Sequence, residues 1–215
     1  MLRALILALV ILTGCRAEPP TASTTPVAPN KDTAEWYRWL AEGTYQIKVD
    51  CPDGSGSGSG VVIYRDEDFT YIATAAHVAN WDCAAFVEDE PFEVVAVDED
   101  YDQAILVGFA QGRTVDESAE VFLGQDVIVV GYPRQPLTGK TAKQVTEGNV
   151  SSFLPKRYKV SAEAYFGNSG GPCFDAHGNL VGLVVALFQG GGVPYPGEIY
   201  VTPAWHLYKL LNETL

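Results

Sequence analysis

The chain has 215 residues, 47% of them apolar and 19% charged, with a formal net charge of −13. That length and balance allow one domain with a sizeable core, or two small packed halves. The charge excludes a phosphate-backbone binder, which needs clustered Lys and Arg to release counterions, so no nucleic-acid partner is expected.

Arg3 precedes the apolar run "ALILALVIL" (residues 4–12), which is too short to span a bilayer and has the length of a signal-peptide core. The run ends in "LTGC", which resembles the lipobox of bacterial lipoproteins. The resemblance implies a signal over residues 1–14, removed on export, and a lipid on Cys15 that tethers the protein to a bacterial membrane on its extracytoplasmic side. An ordinary secretory signal with an incidental cysteine is the alternative. Residues 16–33 are rich in Pro, Thr, Ala and Ser without apolar periodicity, so with Cys15 they read as a flexible tether over residues 15–33. The domain is expected over residues 34–215. Its first piece, "AEWYRWLAEG", predicts a short helix ending at Gly43 with its aromatic residues packed on the rest of the domain.

After Gly43 the chain breaks into short β-rich runs between turn residues: "TYQIKVD", "GVVIY", "YIATAA", "AAFVE", "FEVVAVD", "AILVGF", "DVIVVGY", "QVTEGNVSSF", "YKVSAEAY", "NLVGLVVALF" and "EIYVT". Their spacing suits an antiparallel barrel or sandwich rather than a helix-strand alternation. Residues 82–102 hold nine carboxylates and no Lys or Arg, which reads as a solvated acidic face. "PAWHLYKLLNETL" predicts a closing helix with Pro203 in its first turn.

The stretch "YFGNSGGPCF" sets Ser169 among Gly167, Gly170 and Gly171, which would suit either a bare hairpin or a site where another molecule approaches the backbone. A nucleophilic serine needs a base to take its proton and an anionic group to orient that base. Of the three histidines, His177 lies in the turn "DAHGNL" and His206 on the closing helix, where a surface or packing role is expected. His77 ends "YIATAAHV", an apolar strand followed by small residues, which would set an imidazole at a strand end beside a cleft. For the acid, "VDEDYDQAILV" offers Asp98, Asp100 and Asp102. Asp102 is nearest the apolar run and is expected to be partly buried, with the other two solvated.

"TAAHV", "YDQAIL" and "GNSGGP", in that order, resemble the three signature segments of trypsin-like (chymotrypsin-fold) serine peptidases. "GSGSGSGVVI", "VIVVGYP", "TEGNVSSF" and "GNLVGLVV" are similar to the bacterial Deg/HtrA-type branch. The resemblance spans roughly residues 44–212 and implies an all-β fold of two packed six-stranded antiparallel barrels with a C-terminal helix. It implies a His77–Asp102–Ser169 triad that hydrolyses peptide bonds through an acyl-enzyme, an oxyanion hole from the N–H groups of Gly167 and Ser169, polypeptide substrates and no cofactor. A catalytically silent lipoprotein binding peptides or a partner in the same cleft is the alternative. The missing peptide-binding domain of the Deg/HtrA branch leaves its assembly and regulation open.

The resemblance places Glu163, six residues before Ser169, at the base of a specificity pocket, with Ala164 beside it and Val185, Ala186 and Leu187 on the opposite wall. Glu163 there would favour Lys or Arg before the scissile bond; pointing to solvent along its strand, it would not. Related peptidases tie together the regions of Cys51 and Cys83, which implies a disulfide between them. Cys173 reads as a buried inert thiol, and no His or Cys cluster has the spacing of metal ligands. The "GSGSGSG" run matches a loop bordering the active site and is expected to be a mobile rim of the cleft.

Overall fold

In the computed structural model the described residues are 28–31, 33–118, 120–135, 137–190 and 193–215, excepting the side chains of 186–190 and 193–196. The signal segment, Cys15 and most of the tether therefore lie outside the described residues. Helix α1 (Ala34–Ala41) starts where the Thr33 hydroxyl accepts the Trp36 N–H at 3.1 Å, which satisfies one of the N–H groups a helix start leaves unpaired. Its aromatic residues pack inward as expected, with Trp36 and Leu40 essentially fully buried. Burying a leucine of that size contributes roughly 2 kcal/mol.

The first barrel comprises β1 (Thr44–Cys51), β2 (Gly54–Arg65), β3 (Thr70–Thr74), β4 (Ala84–Val87), β5 (Glu90–Asp98) and β6 (Gln103–Gly108). They close in the order β1-β2-β3-β6-β5-β4, all antiparallel. The second comprises β7 (Asp126–Gly131), β8 (Gln144–Leu154), β9 (Arg157–Ala162), β10 (Pro172–Phe174), β11 (Leu180–Gly190) and β12 (Val193–Pro203), closed as β10-β11-β12-β9-β8-β7. Closure leaves no exposed sheet edge in either half. These are the two six-stranded barrels that the resemblance implied.

Period-two alternation fills each barrel: along β1, Ile47 and Val49 point in while Lys48 and Asp50 face solvent. A third apolar cluster lies between the barrels and joins Val61 and Ile105 of the first to Val130, Phe174 and Leu183 of the second. Both helices cover it, through Trp36 and Leu40 of α1 and through Leu207 and Leu211 of α2 (Ala204–Thr214). Among the described residues no helix is long and apolar enough to cross a membrane.

One expectation needs correction here. The "GSGSGSG" run is not a loop: it is the first half of β2, paired residue by residue with β1 from Cys51↔Gly54 to Gln46↔Ser59. Glycines and serines lack the side chains that mark a strand, but a neighbouring strand supplies the ladder regardless. The three-residue β10, which carries Cys173, is a buried strand too short to show a period of its own.

Candidate active site

His77 follows the end of β3 in a tight turn, where the N–H groups of Val78 and Ala79 both reach the Ala75 carbonyl, at 3.0 and 3.2 Å. Asp102 sits in the turn from β5 to β6, and its carboxylate grips His77 twice. Oδ1 accepts the His77 backbone N–H at 2.9 Å, and Oδ2 lies 2.7 Å from Nδ1. The first bond fixes the turn and the second fixes the ring, with the proton on Nδ1 and Nε2 turned outward as an acceptor. The Asp102 side chain is 16% exposed and that of His77 47%, so the acid is shielded while the imidazole meets solvent. Partial burial of Asp102 is as expected.

Ser169 comes from the other half, on the turn between β9 and β10. Gly167 there has φ +103°, and a Cβ added to it would come within 2.5 Å of the Tyr132 carbonyl oxygen. Gly170, at φ +81°, is packed closer still, with a built Cβ 2.2 Å from the Ser59 carbonyl oxygen. Glycine is required at both by conformation and by space. The Asn168, Gly170 and Gly171 N–H groups are all bonded, to Tyr165, Val184 and Asn168 carbonyls. Those of Gly167 and Ser169 have no partner among the described residues. The Phe166 carbonyl is held by the Arg134 N–H at 2.8 Å, and because the peptide is trans, the Gly167 N–H points the opposite way. No hydrogen bond joins Ser169 Oγ to His77 among the described residues.

One residue missed in the sequence binds this turn to the first barrel. Ser59, fully buried on β2, donates its N–H to the Ser169 carbonyl at 2.8 Å and its hydroxyl to the Gly167 carbonyl at 2.7 Å. The same hydroxyl accepts the Tyr132 N–H at 2.8 Å, and the Ser59 carbonyl accepts from Thr74 Oγ1 at 2.7 Å. Ser55, Ser57 and Ser59 share the same local sequence; only strand register singles out the third.

Asp98 is a second correction. It is not simply solvated: Oδ1 accepts the Tyr101 N–H at 2.9 Å and Oδ2 lies 3.5 Å from His206 Nε2, while Asp100 does remain 81% exposed. Glu163 is exposed at the end of β9, and its Oε1 accepts the Tyr165 hydroxyl at 2.6 Å. Ala164 and Val185 are buried, and the side chains of Ala186 and Leu187 lie outside the described residues. Cys51 and Cys83 form the disulfide that the resemblance implied, joining the end of β1 to the segment after His77. Cys173 is fully buried, and that burial pushes its thiol far above the ordinary range. Among the described residues no His, Cys, Asp and Glu cluster could hold a metal ion.

Two closed six-stranded barrels with His77 and Asp102 on one and Ser169 on the other define the chymotrypsin fold. The trypsin-like peptidase domain family matches residues 58–183, and the chain belongs to it. Relatives include y4bJ of Sinorhizobium fredii, 28% identical over 78% of this chain, and a serine protease HtrA-like protein of Staphylococcus aureus, 29% identical over 73%. The chain spans only 25% and 23% of those two, about a quarter of their length. Among solved structures, the active form of the Rv3671c protease from M. tuberculosis superimposes with a TM-score of 0.67 at 25% identity, covering 92% of this chain and 94% of that one. The HtrA-type protease AlgW with tripeptide gives 0.66 at 22% identity, covering 82% and 61%. Fold and family are those of serine proteases.

Proposed function

We propose that the chain is a serine endopeptidase working through His77, Asp102 and Ser169. Asp102 holds the His77 tautomer, so that Nε2 takes the Ser169 hydroxyl proton as Oγ attacks a peptide carbonyl. The amine leaves with that proton, and water repeats the sequence on the acyl-enzyme. The observation that carries this reading is the pair of unbonded N–H groups at Gly167 and Ser169, in a turn whose other three amides are all bonded. Donors held ready where negative charge develops need no reorganisation during reaction. That no hydrogen bond joins Ser169 Oγ to His77 among the described residues accords with this, since catalytic hydrogen bonds often tighten only with substrate in place.

The Cys51–Cys83 bond supports a location outside the reducing cytoplasm. With the residue 4–12 run and "LTGC", it favours a lipid-anchored protein of the bacterial envelope that acts on polypeptides there. Fluorophosphonate labelling of residues 34–215 tests the reading, because the probe reacts with a serine activated by its base and oxyanion donors. Labelling of the wild type and none of Ser169→Ala is expected. A folded wild type that stays unlabelled overturns it in favour of a peptide-binding lipoprotein.

A further inference from the structure

His206, on α2, is 8% exposed and takes no part in the chemistry above. Its Nδ1 lies 2.9 Å from Gln103 Oε1 and its Nε2 3.5 Å from Asp98 Oδ2. The Tyr101 ring lies flat on the imidazole, with centroids 3.5 Å apart and planes 8° from parallel. One ring therefore touches three residues of the segment 98–103, the segment that carries Asp102.

The contacts have a defined direction. Gln103 is fully buried, and its Nε2 donates to Thr202 Oγ1 at 3.2 Å and to the Pro203 carbonyl at 3.0 Å. With both amide hydrogens engaged, its oxygen faces His206, whose Nδ1 must carry a proton. Asp98 spends its other oxygen on the Tyr101 N–H. From the β8–β9 turn, Lys156 reaches Asp100 at 3.1 Å and stands 5.4 Å over the Tyr101 ring. Asp102 itself has φ +57°, a left-handed conformation uncommon for a non-glycine residue.

We propose that His206 is a positioning residue for the peptidase reaction, holding Tyr101 and Gln103 so that Asp102 meets His77 with both oxygens. The proposal rests on the peptidase reading. No proton or bond of the reaction passes through His206; it acts through the shape of the Asp102 turn. A displacement of about 1 Å in such a group can cost on the order of a hundredfold in rate, so a loosened turn is expected to show in turnover rather than in substrate binding.

Two substitutions test it. His206→Phe keeps a ring against Tyr101 and removes both nitrogens; His206→Asn can return an N–H to the position of Nδ1. The expected result is a kcat lowered about tenfold or more in His206→Phe with KM unchanged, and recovered in large part in His206→Asn. A second readout needs no turnover: the proton between His77 Nδ1 and Asp102 Oδ2, seen as a far-downfield 1H resonance. It is expected in the wild type and His206→Asn, and broadened or lost in His206→Phe. If no variant, wild type included, cleaves or labels, the peptidase reading fails, while this resonance still decides the role of His206. His206→Phe with wild-type kcat and an unaltered resonance overturns the proposal, as does His206→Asn no better than His206→Phe. Should His206→Phe not fold, His206→Leu, which likewise lacks both nitrogens, carries the test, with the same loss of the resonance expected.

Discussion

Around Ser169 the chain is held by its backbone; around Asp102 it is held by side chains. The Ser169 turn takes its shape from glycines at positive φ and from carbonyls bonded to Ser59 and Arg134. The Asp102 turn has a non-glycine residue at positive φ and relies on Tyr101 and Gln103 meeting one imidazole. In each case part of the grip comes from the opposite half of the molecule: Ser59 is on the first barrel, and α2 comes after the second. That ties the geometry of the site to the packing between barrels, which Val61, Val130 and Phe174 help to fill.

Three substitutions probe the contrast. Gly167→Ala should have the largest effect, since its Cβ would strike the Tyr132 carbonyl from a conformation alanine resists. A drop of about 10²–10³ in kcat is expected in peptide hydrolysis, the size typical of losing an oxyanion donor. Ser59→Ala removes the donor to the Gly167 carbonyl and the acceptor of the Tyr132 N–H. Leaving such buried groups unpaired costs about 1–3 kcal/mol each, so thermal unfolding should shift down by several degrees and kcat fall about tenfold. Unchanged melting and turnover would mean that the glycines alone shape the turn. Lys156→Ala should do least: its pair with Asp100 is open to solvent, and kcat is expected to stay within about twofold of wild type. A larger loss would move the grip on the Asp102 turn from the imidazole to the lysine.

The three segments bearing His77, Asp102 and Ser169 were legible because each is a local pattern, a strand meeting small residues, a turn or a glycine cluster. The barrels were legible for a similar reason, since alternating burial repeats every two residues. The grips on the site were not, because their partners are far apart in sequence. Ser59 and Gly167 are separated by 108 residues, and Gln103 and His206 by 103. His206 reads locally as one polar residue on an amphipathic helix, and Asp98 as one carboxylate in an acidic run. The strand character of "GSGSGSG" escaped because it is set by pairing with β1 and leaves no side-chain pattern of its own. The specificity pocket stayed open for a related reason: Glu163 can be counted back from Ser169, but where its carboxylate turns depends on Tyr165 and the surrounding fold.

The distance from Gln103 to His206 also sets an order in time. A chain made from its amino end presents the Asp102 turn 103 residues before the helix residue that grips it. At the usual pace of about 5–20 residues per second, that leaves a delay of roughly 5–20 s. The Cys51–Cys83 bond, by contrast, closes within the first barrel across 32 residues and does not have to wait for the second. If His206 positions the turn, an exported chain can close this crosslink before it has a competent site, so that a newly made molecule cannot cut its neighbours until α2 has docked. Pulse-labelled chains truncated before α2 should then carry the disulfide yet fail to react with fluorophosphonate; labelling of such chains would break the link between the helix and the site.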